Sequence, residues 1–503
     1  MRRLTFLCLA GVVLAGGADR SDEARSLLQS GHTDEAIQLM RAEIATDPDA
    51  LAAGVLLTET LLKQERFDEA DDAIAAALAR HPSDAKLNRV LGDLRYREGL
   101  IFDADKAYKI AVKADKNYAR AYYGISRVFE TSCLRKHAAA VLQLAHAMDP
   151  QDSVIAAAFY STRYRLPKVI ATMEEQLAEF KSAPNPDAAA IRSLETLIAE
   201  GKALGGNPEC AVASAAPQYR IRLGGLHNGK SITGGGLPVQ INGQKTEIRF
   251  DTGAHGFLLS SHFAQRAGVQ RLGDTEISGI GNGPAVKGWV GYAPDIYVGD
   301  LELKNCIVEV PDKGSVDDSG GLIGSDVFKQ FLVKIAFRNI ELELDPLPGP
   351  AWDGHTPVDR YEGPELAGYS QILIVRHHLL IPSLVSESKK KEQTRGLFLF
   401  DTGAGMNMIS TNLAPEITKV HNSSDVVRGV SGKVKTVYEA NQIVLQFDSF
   451  RQSMLDLISF DLSNISRSAG TEVSGIMGLP LIGLFQSVTL DYRDGRIKFE
   501  YKP

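Results

Sequence analysis

The pentapeptide Phe-Asp-Thr-Gly-Ala occurs twice in this chain of 503 residues, at 250–254 and again at 400–404. A single copy is explained by a turn that an aspartate closes, because aspartate favours turns. Two identical copies indicate instead a duplicated unit in which Asp251 and Asp401 serve one purpose. The second half of the chain is therefore expected to contain one fold twice.

The residues around the two pentapeptides repeat in the same order. Each copy has a proline in the preceding strand, then an apolar pair and a serine, a glycine hairpin, an apolar pair between glycines, and a closing strand. The matching positions are 238 and 382, 258–260 and 408–410, 279–283 and 429–433, 321–324 and 475–478, and 333–337 and 488–492. Asn242-Gly243 predicts a tight hairpin turn in the first copy, and a longer loop at 386–395 replaces it in the second.

This repeated pattern resembles the aspartic peptidase family, with its retroviral and pepsin-like branches. The resemblance covers residues 219–503 with all of its elements in order in both copies. It implies an all-β, two-lobed domain with a first lobe over 219–348 and a second lobe over 349–503.

The resemblance assigns catalysis to Asp251 and Asp401. It implies that two threonines hydrogen-bond across the lobe junction and that two glycines let the backbone approach the carboxylates; these are Thr252, Gly253, Thr402 and Gly403. Two carboxyl groups about 3 Å apart do not both ionise, so they share a proton. One then activates a water molecule and the other donates a hydrogen bond to the peptide carbonyl. Each lobe carries one aspartate, so the pair requires both copies.

The chain departs from the pepsin-like pattern at two places. Ala254 and Ala404 stand where that branch has serine or threonine, and one acceptor bond fewer favours the neutral carboxyl group. The sequence therefore predicts a pH optimum less acidic than that of gastric enzymes. No tyrosine stands at the usual flap position, since Trp289 and Tyr292 come later. The hairpin glycines expected to form the flaps are Gly279, Gly281, Gly283, Gly429 and Gly432.

The first half of the chain repeats with a period of 34 residues. Small residues let two helices pack closely, and proline ends a unit because it cannot continue a helix. The pattern resembles the tetratricopeptide repeat, which implies a groove for a peptide or partner protein. The alternatives are a rigid spacer or a surface that docks within the chain. The repeated columns are Ala36, Ala70, Ala104 and Ala138, and Pro48, Pro82 and Pro150.

The remaining segments complete the predicted domain order. Two arginines, a short apolar run and small residues predict a signal peptide over residues 1–18, and therefore export to the periplasm or the extracellular space. No later apolar run is long enough to span a membrane. The order that follows is four repeats over 19–152, capping helices over 153–204, and a linker over 205–218.

Charge and cysteine content argue against binding to nucleic acid, a metal ion or another cofactor. The formal charge of −7 does not favour nucleic acid, and the lysines at 389–391 indicate a solvated loop. Beyond the signal peptide, Cys133, Cys210 and Cys306 allow one disulfide of undetermined pairing. Their spacing is not that of a metal site, and we expect neither a metal nor another cofactor.

The sequence motifs of other functions are incomplete or do not occur. Residues 224–231 match the phosphate-loop pattern, but the residues that follow cannot begin a helix. His377 and His378 lie in an apolar strand and indicate packing, and His255 is expected to face solvent. The motifs of zinc and serine peptidases, H-E-x-x-H and G-x-S-x-G, do not occur.

The sequence thus predicts an all-α helical-repeat solenoid followed by an all-β, two-lobed aspartic protease-like domain. The leading hypothesis is an exported, monomeric aspartic endopeptidase that hydrolyses a peptide or protein substrate, with repeats that recruit a protein. The alternative is a peptide-binding scaffold that keeps the fold but hydrolyses poorly. A third arrangement pairs the lobes of two chains in a dimer.

Overall fold

The computed structural model describes nine stretches of the chain, which are residues 20–182, 188–214, 216–228, 231–281, 283–312, 320–349, 359–387, 392–455 and 457–501. The predicted signal peptide and the lysines at 389–391 lie outside them. The chain divides into two compact units, residues 1–124 and residues 125–503.

The first unit consists of helices that pack in consecutive pairs, which confirms the predicted repeats. The small column residues are fully buried between the paired helices, as the period requires. The helices are α1 (Arg20–Gln29), α2 (Thr33–Thr46), α3 (Leu51–Lys63), α4 (Phe67–Arg80), α5 (Ala85–Arg97), α6 (Ile101–Ala114) and α7 (Ala119–Thr131), the last of which continues into the second unit.

A buried tyrosine sets the spacing of two helices in this unit. Tyr108 on α6 is fully buried, and its hydroxyl donates a hydrogen bond of 2.7 Å to Asp93 on α5. A Cβ atom at Gly92 would overlap the Tyr108 ring. Glycine is therefore needed at residue 92 because the helices approach closely there.

The second unit begins with four helical segments. After the end of α7 come α8 (Arg135–Met148), α9 (Ser153–Ser161), α10 (Pro167–Ser182) and α11 (Ala188–Leu204). The last three occupy the segment for which capping helices were predicted.

The described residues of the first lobe form strands, a short α-helix and a 3-10 helix at Ser325–Phe328. Its elements are β1 (Ala211–Val212), β2 (Tyr219–Arg222), β3 (Gly224–Asn228), β4 (Ser231–Ile241), β5 (Gln244–Asp251), β6 (Phe257–Leu259), α12 (Ser261–Arg266), β7 (Gln270–Ile277), β8 (Val286–Val298), β9 (Leu301–Pro311), β10 (Gly321–Gly324), β11 (Phe331–Ala336) and β12 (Glu341–Pro346).

The second lobe repeats this plan with shorter strands. Its elements are β13 (Ser370–Gln371), β14 (Leu373–Val375), β15 (His378–Glu387), β16 (Thr394–Phe400), β17 (Asn407–Ser410), α13 (Ala414–Ile417), β18 (Val420–Asn422), β19 (Arg428–Gly429), β20 (Gly432–Lys433), β21 (Tyr438–Ala440), β22 (Ile443–Phe447), β23 (Phe450–Met454), β24 (Leu457–Phe460), α14 (Ser463–Ala469), β25 (Gly475–Met477), α15 (Leu479–Ile482), β26 (Phe485–Asp491) and β27 (Arg496–Tyr501).

The two lobes share one strand arrangement. In the first lobe β10 lies parallel to β5 and antiparallel to β6, and in the second lobe β25 lies parallel to β16 and antiparallel to β17. A serine then caps the following turn in each copy: Ser260 accepts from the Phe263 amide at 3.3 Å, and Ser410 accepts from the Leu413 amide at 3.2 Å. The duplication seen in the sequence is therefore a duplication of structure.

Two local sequence predictions are confirmed, and the predicted linker is found to be attached to the first lobe. Ile241 pairs with Gln244, so Asn242-Gly243 forms the predicted hairpin turn. In residues 224–231, the described part lies in β3 and at the start of β4, as expected for a sheet rather than a phosphate loop. Within the predicted linker, Cys210 forms a disulfide with Cys306 and β1 pairs with β9, so this part is fixed to the first lobe.

A single sheet joins the lobes. In the described residues its strand order is β13-β27-β26-β11-β12-β2, with three strands from each lobe. The closing strands of the two copies, β11 and β26, pair with each other and place Val333 beside Leu490. Both side chains are fully or almost fully buried, so the junction between the lobes is an apolar core rather than a hinge.

Helical elements of the second unit also contact both lobes. The Arg135 guanidinium donates to the Tyr492 carbonyl at 2.9 Å, and the Lys136 amide donates to the Asp359 carboxylate at 2.7 Å. Asp359 thereby occupies the positive end of α8. On the first lobe, Thr196 of α11 donates to the Asp274 carbonyl at 3.1 Å. These contacts make residues 125–204 part of the structure that supports the lobes.

The glycine beside Tyr108 provides a test of the repeat packing. We expect Gly92→Ala to lower the free energy of unfolding of the repeats by about 1–3 kcal/mol, because the added methyl group overpacks a filled space. Lys86→Ala, at an exposed position of the same helix, is the matched control. Thermal unfolding followed by circular dichroism measures both, and equal stabilities of the two variants would contradict the proposed packing.

Candidate active site

Strand topology brings the two pentapeptides to one place. Asp251 is the last residue of β5 and lies beside Gly324 of the parallel strand β10. Phe400 ends β16 beside Met477 of β25, so Asp401 leaves its sheet at the equivalent point. Both loops meet where the lobes join, and the side chains of Asp251 and Asp401 hydrogen-bond to each other.

The predicted supporting glycines face the opposite aspartate. A Cβ atom at Gly253 would lie 2.7 Å from the Asp401 carboxyl carbon, and a Cβ at Gly403 would overlap the Asp251 carboxyl group. Any larger residue at either position would push the carboxyl groups apart. The glycines are therefore required by the contact between the two loops.

Backbone amides also hold each carboxyl group. The Gly253 amide donates to Asp251 Oδ1 at 2.8 Å, and the Gly403 amide donates to Asp401 Oδ1 at the same distance. The Ala404 amide adds a bond of 3.1 Å to Asp401 Oδ1. Because Ala254 and Ala404 have no hydroxyl group, they offer these carboxylates only their backbone.

The threonines bond across the junction in a reciprocal pair. The Thr402 amide donates to Thr252 Oγ1 at 2.9 Å, and the Thr252 amide donates to Thr402 Oγ1 at 3.1 Å. The Thr252 hydroxyl then donates to the Phe400 carbonyl at 2.8 Å. Both threonines are buried, so these bonds are shielded from water and hold the two loops at one separation.

Burial raises the pKa of both aspartates. For Asp401 the neighbouring charge of Asp251 adds to burial and raises the pKa well above its ordinary value. For Asp251 burial also raises the pKa, although the bonds from Asp401 and the Gly253 amide act in the opposite direction. The pair therefore holds one shared proton over a range displaced upward from that of an ordinary aspartate.

An ion pair next to the first loop was not predicted. His255 Nδ1 lies 2.7 Å from Asp326 Oδ2, and the Gly256 amide donates to Asp326 Oδ1 at 3.0 Å. Partial removal of water from the ring opposes protonation of the imidazole, but the Asp326 carboxylate outweighs this and the pKa of His255 is raised. The His255 side chain is 61% exposed, as expected, and it is also anchored. Asp326 comes two residues after Gly324, at the end of the apolar-apolar-glycine segment. This position next to a predicted site element is the sequence feature that could have indicated the ion pair.

The histidine pair of the second lobe packs as predicted. His377 stacks on His378 with ring centroids 3.9 Å apart, and on His255 at 5.0 Å. Burial lowers the pKa of His378 to about 4, so the ring is neutral near pH 7. Among the described residues no group of histidine, cysteine or acidic side chains is arranged to hold a metal ion.

The two glycine hairpins meet above the aspartates. The Gly283 amide donates to the Ser431 carbonyl at 2.8 Å, and the Ser431 amide donates to the Ile280 carbonyl at 2.9 Å. The Gly279 amide bonds to the Ser431 hydroxyl at 3.1 Å, and Asn464 donates to the Gly281 carbonyl at 2.6 Å. The predicted flaps are thus two hairpins that hydrogen-bond tip to tip.

Glycine is required at this contact and apolar residues fill the tips. A Cβ at Gly281 or Gly283 would collide with Ser431, and one at Gly429 would collide with Ile280. Gly432 turns the second hairpin with φ of +89°, a conformation that favours glycine. Ile280 and Val430 occupy the tips where no tyrosine is present. The sequence identified the glycines but not their mutual contact.

Beneath the flaps lies a cavity of about 960 Å³ that contains both aspartates in its wall. The first lobe also contributes Arg249 and His255, and the second lobe contributes Arg376 and Arg428. The cavity is of the size that small ligands occupy and is bounded by both flap tips. The arrangement can thus hold an extended peptide between the two flap hairpins and the aspartate pair, which shares one proton.

Family models match both halves of the chain. Residues 237–327 match the model described as aspartyl protease, and residues 27–94 match the model described as tetratricopeptide repeat. The first match lies within the first lobe. The assignment of the second lobe rests on the duplicated sequence and topology.

Curated relatives resemble a limited part of the chain. It is 30% identical over 135 residues to DNA damage-inducible protein 1 of Chaetomium globosum, covering 26% of this chain and 29% of that protein. It is 33% identical over 109 residues to the UBA domain-containing protein Mud1 of Schizosaccharomyces pombe, covering 21% and 31%. The chain thus spans less than a third of the length of the curated relatives it matches.

Solved structures resemble each half at low identity. The aspartic proteinase of Irpex lacteus is 11% identical with a TM-score of 0.37, covering 57% of this chain and 97% of that one. A crystal structure of MamA is 17% identical with a TM-score of 0.24, covering 28% and 84%. With scores this low, the assignment rests on the topology and the family models. The chain joins tetratricopeptide repeats to a two-lobed aspartic protease-like domain.

The threonine pair supports a prediction about stability. We expect Thr252→Ala to lower the free energy of unfolding by about 1–3 kcal/mol, because it leaves the buried Thr402 amide and Phe400 carbonyl without their partner. Thr252→Ser keeps the hydroxyl and should restore most of the loss. Urea unfolding followed by tryptophan fluorescence reports on the lobes, since both tryptophans lie beyond residue 219. A serine variant as unstable as the alanine variant would contradict this role of the hydroxyl.

Proposed function

We propose that the two-lobed domain is an aspartic endopeptidase that hydrolyses peptide bonds with the pair Asp251 and Asp401. The observation that carries this proposal is the contact between the buried carboxyl group of Asp401 and the partly buried carboxyl group of Asp251 at the junction of the lobes. A buried carboxylate pair is costly to the fold unless one member stays neutral. Such a pair offers a base and an acid side by side, which is the requirement of metal-free amide hydrolysis.

The two carboxyl groups of the singly protonated pair divide the base and acid roles. We assign the base to Asp251, which takes a proton from the attacking water. Asp401, whose pKa is raised well above its ordinary value, keeps the proton and donates it towards the carbonyl oxygen of the substrate. When the tetrahedral intermediate collapses, Asp251 passes the proton taken from water to the leaving amine. Asp401 takes a proton back from a hydroxyl group of the intermediate, which becomes the new carbonyl, and the pair returns to its shared state.

The cavity and flaps suit an extended peptide. Tip-to-tip bonds between the hairpins cover the cavity, so a substrate enters after these bonds open. A peptide that lies between the hairpins and the aspartates can replace the lost bonds with its own backbone groups, as in strand addition. The enzyme would therefore cleave within flexible or unfolded segments.

The other parts of the proposal concern location and partners. The disulfide between Cys210 and Cys306 supports export, since disulfides persist in oxidising compartments. None of the helices in the described part of the chain is long and apolar enough to cross a membrane. Both aspartates come from one chain, which supports a monomeric enzyme. The repeats would recruit a partner protein or the substrate.

Substitution of each aspartate tests the shared site. We expect Asp251→Asn and Asp401→Asn each to lower the cleavage of a mixed peptide library by at least about a thousandfold, because either change removes half of the acid–base pair. Cleavage is measured by mass spectrometry after incubation from pH 3 to pH 7. Asp461→Asn, an exposed aspartate of the second lobe outside the cavity, is the control. Retained cleavage in either dyad variant would refute the mechanism, and binding without cleavage by the wild type would favour the scaffold alternative.

The pH dependence tests the raised pKa values. Below the lower apparent pKa of the pair both carboxyl groups are neutral and no base is present, whereas above the higher apparent pKa both are ionised and no acid remains. Because both pKa values are raised, the active range moves upward, and we expect the maximum above the ordinary aspartate pKa of about 3.9. The measurement is kcat/KM for an uncharged peptide, with circular dichroism at each pH to exclude unfolding. A rate that falls steadily from pH 2 to pH 6 would contradict the expectation.

A further inference from the structure

His255 lies in the wall of the cavity, directly after the first pentapeptide. Its Nδ1 is 2.7 Å from Asp326 Oδ2, and the side chain is nevertheless 61% exposed. The two N–H bonds of an imidazolium ring point away from each other, so Nε2 is directed away from Asp326. Among the described residues Nε2 has no hydrogen-bond partner. One ring nitrogen is therefore fixed, and the other is open to the cavity.

Contacts from both lobes hold this ring in position. In the first lobe the Asp326 carboxylate also accepts from the Gly256 amide at 3.0 Å, and the Gly324 amide donates to the Gly256 carbonyl at 2.8 Å. In the second lobe His377 stacks on the ring of His255, with centroids 5.0 Å apart and an angle of 25° between the planes. The ring thus has an ion pair at one edge and an aromatic neighbour at one face.

Acidic neighbours keep this imidazole protonated. Partial loss of water lowers the pKa of His255, but the hydrogen bond and charge of Asp326 outweigh this and raise it. Glu309 on β9 and Glu209 ahead of β1 act in the same direction through their charge. His377 adds no positive charge, because partial loss of water lowers the pKa of its ring to about 2. Below the ordinary histidine pKa of 6.5, both ring nitrogens of His255 therefore carry a proton.

The second lobe has no equivalent of this donor. Gly405 stands at the position that matches His255, and Pro480 stands at the position that matches Asp326. A Cβ atom at Gly405 would meet open space, so a side chain would fit there. The donor is thus present beside one member of the aspartate pair and missing beside the other.

We propose that His255 is a substrate-binding residue, whose Nε2–H donates a hydrogen bond to a backbone carbonyl of the peptide on one side of the scissile bond. An extended peptide presents such carbonyl groups along its length, and a charged donor strengthens the bond to them. Asp326 already balances the charge of the ring, which favours a neutral acceptor over a carboxylate. This inference rests on the proposed peptidase function and adds a residue that positions the substrate.

Two substitutions separate substrate binding from a purely structural role. The amide nitrogen of asparagine is as many bonds from Cβ as histidine Nδ1, and that of glutamine is as many as Nε2. His255→Asn therefore keeps the donor to Asp326 and removes the donor to the cavity, whereas His255→Gln does the reverse. We expect His255→Asn to lower kcat/KM for a library peptide about tenfold or more, and His255→Gln to stay within about threefold of the wild type.

Matched variants control for nonspecific effects. His262 is an exposed histidine on α12 of the same lobe and lies outside the cavity wall, so His262→Asn and His262→Gln should cleave as the wild type does. Circular dichroism establishes that each variant is folded. An active His255→Asn with an impaired His255→Gln would show that the ring only fixes the loop through Asp326, and would overturn the proposal. A control variant with the same loss as His255→Asn would also overturn it.

Altered peptides locate the acceptor. Each backbone carbonyl near the scissile bond, except the one that is cleaved, is replaced in turn by a thiocarbonyl, whose sulfur accepts hydrogen bonds less well. We expect one position, on one side of the bond, at which this change lowers kcat/KM of the wild type about threefold or more. The same change should have little effect in His255→Asn, because the bond is already missing. Equal effects on the two proteins at every position would refute the assignment.

Separate outcomes distinguish this inference from the proposed function. If the wild type and His255→Asn cleave the peptides equally well, the inference is wrong and the peptidase function stands. If the wild type cleaves no peptide, the peptidase function fails, and equilibrium binding of fluorescent library peptides decides the inference. Binding that His255→Asn weakens about tenfold and His255→Gln preserves would support it. Equal binding by the three proteins, or no binding by the wild type, would refute it.

Discussion

Two carboxyl groups buried against each other are the constraint on which the rest of this structure depends. If both ionised they would repel strongly in surroundings that water does not screen, so the pair is stable only with a shared proton and a fixed separation. The threonine bonds between the loops, the facing glycines and the backbone amides at 2.8 Å set that separation. These contacts thus hold together two carboxyl groups that would otherwise repel each other.

That geometry also depends on features far from the aspartates. The sheet formed by β11 and β26 joins the lobes through buried apolar residues, so the lobes behave as one body. The residues at the start of α8 bond to the second lobe, and α11 bonds to the first. The helical segment between the repeats and the lobes is therefore part of the support. This differs from a free linker, since Cys210 is covalently attached to the first lobe.

The lobes are duplicates in topology but not in chemistry. His255 is anchored by Asp326 beside the first aspartate, whereas Gly405 occupies the equivalent position beside the second. For Asp401 the neighbouring charge of Asp251 adds to burial and raises the pKa well above its ordinary value. The two identical pentapeptides therefore lie in unequal surroundings.

The sequence by itself determined the features that recur along the chain. A 34-residue period, two pentapeptides and two sets of glycines are visible without a structure, because helix pairs and strand-turn units have local patterns. These patterns also predicted that the aspartates, threonines and two of the glycines meet at one junction, and the structure brings them together there. The tertiary structure alone decided which non-repeated residues meet: Ser431 with the first flap, Asp326 with His255, and Cys210 with Cys306. Such contacts join residues far apart in the chain, and a single sequence contains no periodic signal for them.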